Sequence, residues 1–237
     1  MDNFSLEFAI LKFPEVVKAV PTTLLVAVIS MLLGFIVGLV IALCRIYKVP
    51  VLDKLGALYV SFIRGTPLLV QIYVTFYGTP LLVEFLHKQL GWNLPLDAIS
   101  PLGFALIAFT LNAAAYQSEI IRSALSSTDA GQMEAALSVG MTTYQGLMRI
   151  ITPQAMVIAL PNFGNIFIGL IKGTSLAFTV KVIEIMASAK IVAGDGYRYL
   201  EMYVDASIVY WVLCFAFEKL FEWLEERSGR FEKKMAI

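Results

Sequence analysis

Four stretches of this chain contain no Asp, Glu, Lys or Arg: residues 19–44, 65–83, 98–118 and 150–171. A helix rises 1.5 Å per residue, so about 20 residues cross the ~30 Å hydrocarbon core of a bilayer, and each stretch is long enough to do so. A fifth charge-free run, 206–217, is shorter. It becomes long enough when extended from Tyr203 to Trp223, which places an aromatic residue at each end, about 30 Å apart along a helix, where membrane interfaces favour them. Only 15% of the chain is charged, against roughly 25% in soluble domains, and mean hydropathy is +0.78. The expectation is an all-α polytopic membrane protein. It has five transmembrane helices, at about 20–44, 60–83, 98–120, 150–171 and 203–223, in a single domain over 1–237.

Five spans put the termini on opposite faces. With the N-terminus outside, the inner segments carry 11 Lys and Arg and the outer segments 7. The cluster Arg45, Lys48, Lys54 and Arg64, facing a lone Lys88 in the next connection, points the same way. The C-terminus is then cytoplasmic. Between the fourth and fifth spans, residues 172–205 hold apolar stretches too short to cross and a turn signal at Gly194-Asp195-Gly196. This segment reads as a short re-entrant or external helix followed by a loop.

Several function classes are excluded. Net charge is zero, so there is no basic footprint for nucleic acid. Lys172-Gly173-Thr174-Ser175 lacks the Gly-Lys order and upstream glycine of a nucleotide-binding loop. Cys44 and Cys214 both lie in apolar segments and read as free buried thiols. No metal-spaced cluster and no hydrolase motif is present, and the acidic N-terminal residues Asp2 and Glu7 argue against a cleaved signal peptide.

Residues 129–153, DAGQMEAALSVGMTTYQGLMRIITP, are polar and lie between hydrophobic runs. Asp129 with Gln132 reads as a helix start. Met133, Leu137 and Met141 form an apolar stripe on a short helix. Gly140 suits its end, where a left-handed residue makes a sharp turn. Tyr144, Leu147, Met148 and Ile151 form a second stripe. The segment therefore reads as two short amphipathic helices joined by a bend, a pattern shared with ordinary interfacial segments.

Polar side chains inside a span are costly and usually face the bundle interior or a water-filled path. Gln71, Asn112, Glu119, Arg122, Asn162, Asn165 and Lys172 are the candidates. Glu119 and Arg122 are spaced for a local ion pair. Asn112 precedes three alanines that allow close helix approach, so helix–helix bonding and substrate contact are both open to it. Asn162 follows Pro161 and is placed to satisfy a carbonyl the proline leaves free.

Four motifs, in order, resemble the polar amino acid branch (histidine/glutamine/cystine type) of ABC importer permeases. The loop carries Glu134-Ala135-Ala136, Gly140, Ile150 and Pro153 at the spacing of the family's EAA loop. The others are Phe62-Ile63-Arg64-Gly65-Thr66-Pro67 running to Gln71, Leu111-Asn112 through Tyr116 to Glu119 and Arg122, and Ile171-Lys172-Gly173-Thr174-Ser175-Leu176. The resemblance runs from Thr22 to Trp223. It implies a type I permease fold in a bacterial inner membrane and no enzymatic activity or cofactor of its own. ATP is bound by partner ATPase subunits, which dock on Glu134, Ala135, Ala136, Gly140, Ile150 and Pro153. It also implies a second permease subunit, in a homo- or heterodimer, and an extracytoplasmic solute-binding protein that delivers a polar amino acid. Gln71, Asn112, Tyr116, Lys172, Thr174 and Ser175 become the candidate substrate path. Two positions depart from the family pattern: Thr152 stands where Leu is usual, and Gly173 where Asp is common. Loss of that carboxylate argues against a cationic substrate and leaves cystine as the best single candidate. The alternative is an ion-coupled secondary transporter. It would use intramembrane carboxylates in repeated halves; no repeat is visible, and Glu119 is the one carboxylate in the inner half of the first four spans.

Overall fold

The computed structural model describes residues 4–91 and 99–235. Five helices among them are long and apolar enough to cross a membrane. Helix α1 (Leu6–Val17) starts at Ser5, whose hydroxyl accepts from the Phe8 N–H. It leads into α2 (Val20–Ile46), the first span, with Pro21 in its first turn, where a missing N–H costs nothing. Helix α3 (Leu52–Arg64) and the Gly65-Thr66-Pro67 turn then return the chain to α4 (Leu68–Leu90). The expected second span began at 60. The structure instead separates α3 from α4, because Pro67 disfavours a helical Thr66 before it.

The third span, α5 (Pro101–Ser126), is capped by Ser100 and is the most enclosed of the five. The expected start at 98 lies outside the described residues. Helix α6 (Ala130–Ser138) follows, then α7 (Thr143–Gly146), a wide π turn at Leu147–Ile151, and α8 (Thr152–Gly173), which ends in a 3₁₀ segment, Thr174–Val180. The fourth span is thus one continuous helical path over Thr143–Val180, and the second short helix of the expected loop forms its first turns. A short helix, α9 (Ile185–Gly194), ends near the predicted Gly-Asp-Gly turn. The last helix, α10 (Tyr199–Met235), carries the fifth span over Tyr199–Ser228. The helices outrun the charge-free stretches because charges at their ends pair locally. Lys88 meets Glu84 one turn away at 2.7 Å, so α4 continues past both.

Helices α2 and α5 run side by side in the same direction. Thr23, Ala27, Ser30, Gly34, Gly38 and Ala42 make the buried stripe of α2. They meet Ala113, Ala114, Gln117 and Ser118 of α5. A Cβ on Gly34 would lie 2.8 Å from that of Ala113, and one on Gly38 would lie 2.9 Å from the Ala114 carbonyl oxygen. Small residues permit this approach, which packing in lipid requires in the absence of a hydrophobic driving force. The core continues through Val26, Ile72, Phe109, Phe167 and Ile171.

At the end of the bundle where α1 and α9 lie, a second apolar cluster joins them to α10 through Val16, Ile185, Ala189, Met202 and Ala206. Glu184 opens α9. It is fully buried, and its carboxylate accepts from the backbone N–H groups of Met186 and Ala187 and from the Tyr210 hydroxyl at 2.5 Å. Burial pushes the Glu184 carboxyl above its ordinary value.

Candidate functional site

A cavity of about 820 Å³ opens between the Gly65-Thr66-Pro67 turn and helices α5 and α8. Helix α5 contributes Asn112, Tyr116, Glu119, Arg122 and Ser123, which recur at three- and four-residue intervals on one face. Helix α8 contributes Asn162, Asn165 and Gly169 at the same kind of interval, and the turn brings Arg64 and Thr66. The wall therefore mixes amides and hydroxyls with apolar side chains such as Leu68, Ile120, Ile158 and Ile166, and its charges gather toward the α6 end.

Those charges are unequal in their freedom. Glu119 receives Arg45 of α2 on one oxygen and Arg122 on the other, the latter at 2.8 Å. The expected Glu119–Arg122 pair is present; Arg45, distant in sequence, completes it. Both carboxylate oxygens are spent on guanidinium groups. Arg64 meets no carboxylate among the described residues, and its guanidinium lies 5.4 Å from the centre of the Tyr116 ring. The cavity's charge balance is positive, which suits a ligand bearing a carboxylate.

The six residues proposed for a substrate path divide. Asn112 and Tyr116 line the cavity. Gln71 is buried behind them, its amide nitrogen donating to the Ile63 carbonyl at 2.7 Å and to the carbonyl and hydroxyl of Thr66 at 3.0 Å each. Its oxygen accepts from the Asn112 amide at 2.9 Å. Thr174 is fully buried and donates to the Ile171 carbonyl, while Ser175 donates to that of Lys172. Neither they nor Lys172 is among the residues around the cavity. Gly173 lies against Leu68 and Phe109 and is also outside the cavity wall. Arg64 and Thr66 were visible in the sequence only as parts of a motif. Asn162, Asn165 and Gly169 carried a signal of their own, since spacings of three and four put them on one helix face.

The second functional candidate is the segment 129–153. Asp129 caps α6 by accepting from the Gly131 N–H. At the other end, Gly140 N–H bonds the Leu137 carbonyl and Met141 N–H the Ala136 carbonyl. These are the paired bonds of a Schellman stop, and Gly140 supplies the left-handed residue it needs, at φ +84°. Thr142 and Gln145 then form a reciprocal capping box that restarts the helix. The expectation put the box-like start at Asp129 and Gln132; the structure builds it after the bend. Gly146 lets α7 close on α6, because a Cβ there would lie 2.8 Å from the Met133 sulfur. Pro153 has no N–H for the helix ladder, and the chain takes the wide turn at Leu147–Ile151 just before it.

Glu134 and Ala135 are exposed on α6 and Ala136 is buried beneath them. Leu137, Val139 and Tyr144 stand exposed around the bend. Ile150 and Pro153 are half-buried at the base of α8. The segment is thus an elbow, capped on both sides of its bend, with an apolar, singly acidic crest.

Residues 30–230 match the family described as binding-protein-dependent transport system inner membrane component. The probable amino-acid permease protein YxeN of Bacillus subtilis is 44% identical over 97% of this chain and 98% of its own length. The L-cystine transport system permease protein TcyL of the same organism is 38% identical, covering 90% of this chain and 87% of its own. Among solved structures, an amino acid ABC transporter crystallised with histidines superposes with a TM-score of 0.79. It is 30% identical, over 94% of this chain and all of the other. The MetNI methionine transporter, at 18% identity and a TM-score of 0.68, shares the fold.

Proposed function

The chain belongs to the binding-protein-dependent transport system inner membrane components, and on that premise we propose that it is the permease subunit of an ATP-driven importer for a polar amino acid. The observation that carries this reading is the cavity beside α5: amides for hydrogen bonding, a guanidinium without a carboxylate partner among the described residues, and a carboxylate already neutralised by two arginines. Such a wall suits a zwitterion better than arginine or lysine, whose extra cation would find no free carboxylate. L-Cystine is the best single candidate, in keeping with a relative named for its transport.

In this reading the elbow at 129–153 docks ATPase subunits through Glu134, Ala135, Ala136 and the bend at Gly140, with Ile150 and Pro153 relaying its movement into α8. ATP hydrolysis belongs to those separate subunits. A second permease subunit completes the path, a solute-binding protein delivers substrate, and the whole of 1–237 acts as one permease domain. The N-terminus and α9 lie outside and the C-terminus in the cytoplasm, the orientation in which the elbow faces ATPases.

The test is uptake of labelled L-cystine, L-glutamine, L-histidine and L-arginine by vesicles containing the assembled transporter. L-Cystine uptake well above L-arginine is the expected result. Strong arginine uptake with none of cystine would overturn the substrate reading.

A further inference from the structure

The hydrogen bonds around Gln71 fix the direction of two amides. The carbonyls of Ile63 and Thr66 can only accept, and the Thr66 hydroxyl spends its proton on the Phe62 carbonyl at 2.9 Å. All three therefore need a donor, and the Gln71 amide nitrogen faces them. The Gln71 oxygen is then turned toward α5. The group opposite it must donate, which is met by the Asn112 amide nitrogen at 2.9 Å. With one of its two N–H groups committed to Gln71, Asn112 keeps the other and its carbonyl oxygen. That oxygen has no partner among the described residues, and the side chain lines the cavity.

From this chain of acceptors and donors we infer that Asn112 presents its carbonyl oxygen to the cavity, where it receives the α-ammonium of the substrate. Gln71 is the positioning residue that sets that polarity. The inference rests on the amino acid reading of the cavity and assigns it an orientation. Tyr116, with Arg64 over its ring, lies one helical turn along α5, about 6 Å away. The acceptor and the guanidinium line the same cavity, and together they offer complements to the ammonium and the carboxylate of one amino acid. The arrangement also gives a basis for rejection. A carboxylic acid lacking the α-amino group leaves the Asn112 oxygen unpaired, and a site built to bond a missing group discriminates strongly against its absence.

The experiment uses the full complex with its ATPase subunits and without binding protein. Affinity is measured for L-cystine and its des-amino counterpart 3,3′-dithiodipropionate, and for L-glutamine, L-histidine and L-arginine with theirs. Wild type should prefer an amino acid over its des-amino form. Asn112→Ala and Gln71→Leu should each reduce that preference about 10-fold or more. The double variant should reduce it no further than Asn112→Ala, because Gln71 acts through Asn112. A merely structural Gln71 would weaken both ligands in proportion and leave the ratio intact. Should Gln71→Leu fail to assemble, Asn112→Ala still decides, since alanine continues the run Ala113–Ala115. A wild-type complex that binds none of the four amino acids would sink the cavity reading itself. Binding with an unchanged preference in Asn112→Ala would overturn only the orientation assigned here.

Discussion

At the scale of single residues, buried polar groups in this chain are held by partners both near and far in sequence. Glu184 shows the consequence for stability. Replacing it with Ala leaves the Tyr210 hydroxyl and two N–H groups of α9 without an acceptor, at a cost of about 2–4 kcal/mol. Its folded carboxyl titrates above the ordinary 4.5. The protonated form is therefore the one the fold favours, and its contribution is complete below 4.5 and declines as pH rises through the folded value. The thermal midpoint of Glu184→Ala should fall furthest below wild type at low pH, with the gap narrowing toward neutrality. Scans of the purified complex between pH 4.5 and 8 check both sign and window; a gap that widens with pH would contradict the assignment. Gly34→Leu tests close packing in the same way. The Cβ already lies 2.8 Å from Ala113, so overpacking should cost about 1–3 kcal/mol and lower the unfolding midpoint.

At the scale of elements, the elbow between α6 and α7 is the part whose conformation is most narrowly determined. Gly140 sits at φ +84° with open space around it, so the obstacle to substitution is backbone strain rather than collision. Gly140→Val should destabilise the bend by about 1–2 kcal/mol, because a β-branched residue resists positive φ. ATPase association, measured by co-purification, should drop while insertion in the membrane persists. Gly140→Asn should retain most association, since Asn tolerates that region. Equal binding by wild type and Gly140→Val would remove the elbow from the docking account. The bend was legible in the sequence because Gly140 ends an apolar stripe and another begins at Tyr144. The capping box after it was equally readable in Thr142 and Gln145, but Asp129 offered a similar signal earlier. The π turn had no signature beyond Pro153. Likewise the five spans were readable from charge-free runs, whereas their ends were not. Such runs mark what hydrocarbon tolerates, and a helix continues wherever its charges pair, as at Glu84 and Lys88.

At the scale of the whole molecule, the site was less legible than the fold. Asn112 and Tyr116 reach the cavity, but Thr174 and Ser175, equally polar in sequence, bond to their own helix turns. Which fate a hydroxyl meets depends on how α4, α5 and α8 converge, and no local pattern records that. Arg45 joins Glu119 from 74 residues away for the same reason. Orientation is open to a simple check. In a background of Cys44→Ser and Cys214→Ser, Lys18→Cys should react with an impermeant maleimide from outside and Arg227→Cys only from inside; reaction of both from one face would require a different number of crossings.

The central claim is that this subunit moves substrate at the expense of ATP bound elsewhere. Its most direct test is uptake into vesicles holding the chain with its ATPase subunits and binding protein. ATP, a sodium gradient and a proton gradient are each supplied alone. The account predicts uptake with ATP only, lost when the binding protein is omitted and unaffected by ionophores. Uptake driven by an ion gradient, by this chain without ATPase subunits, would contradict it.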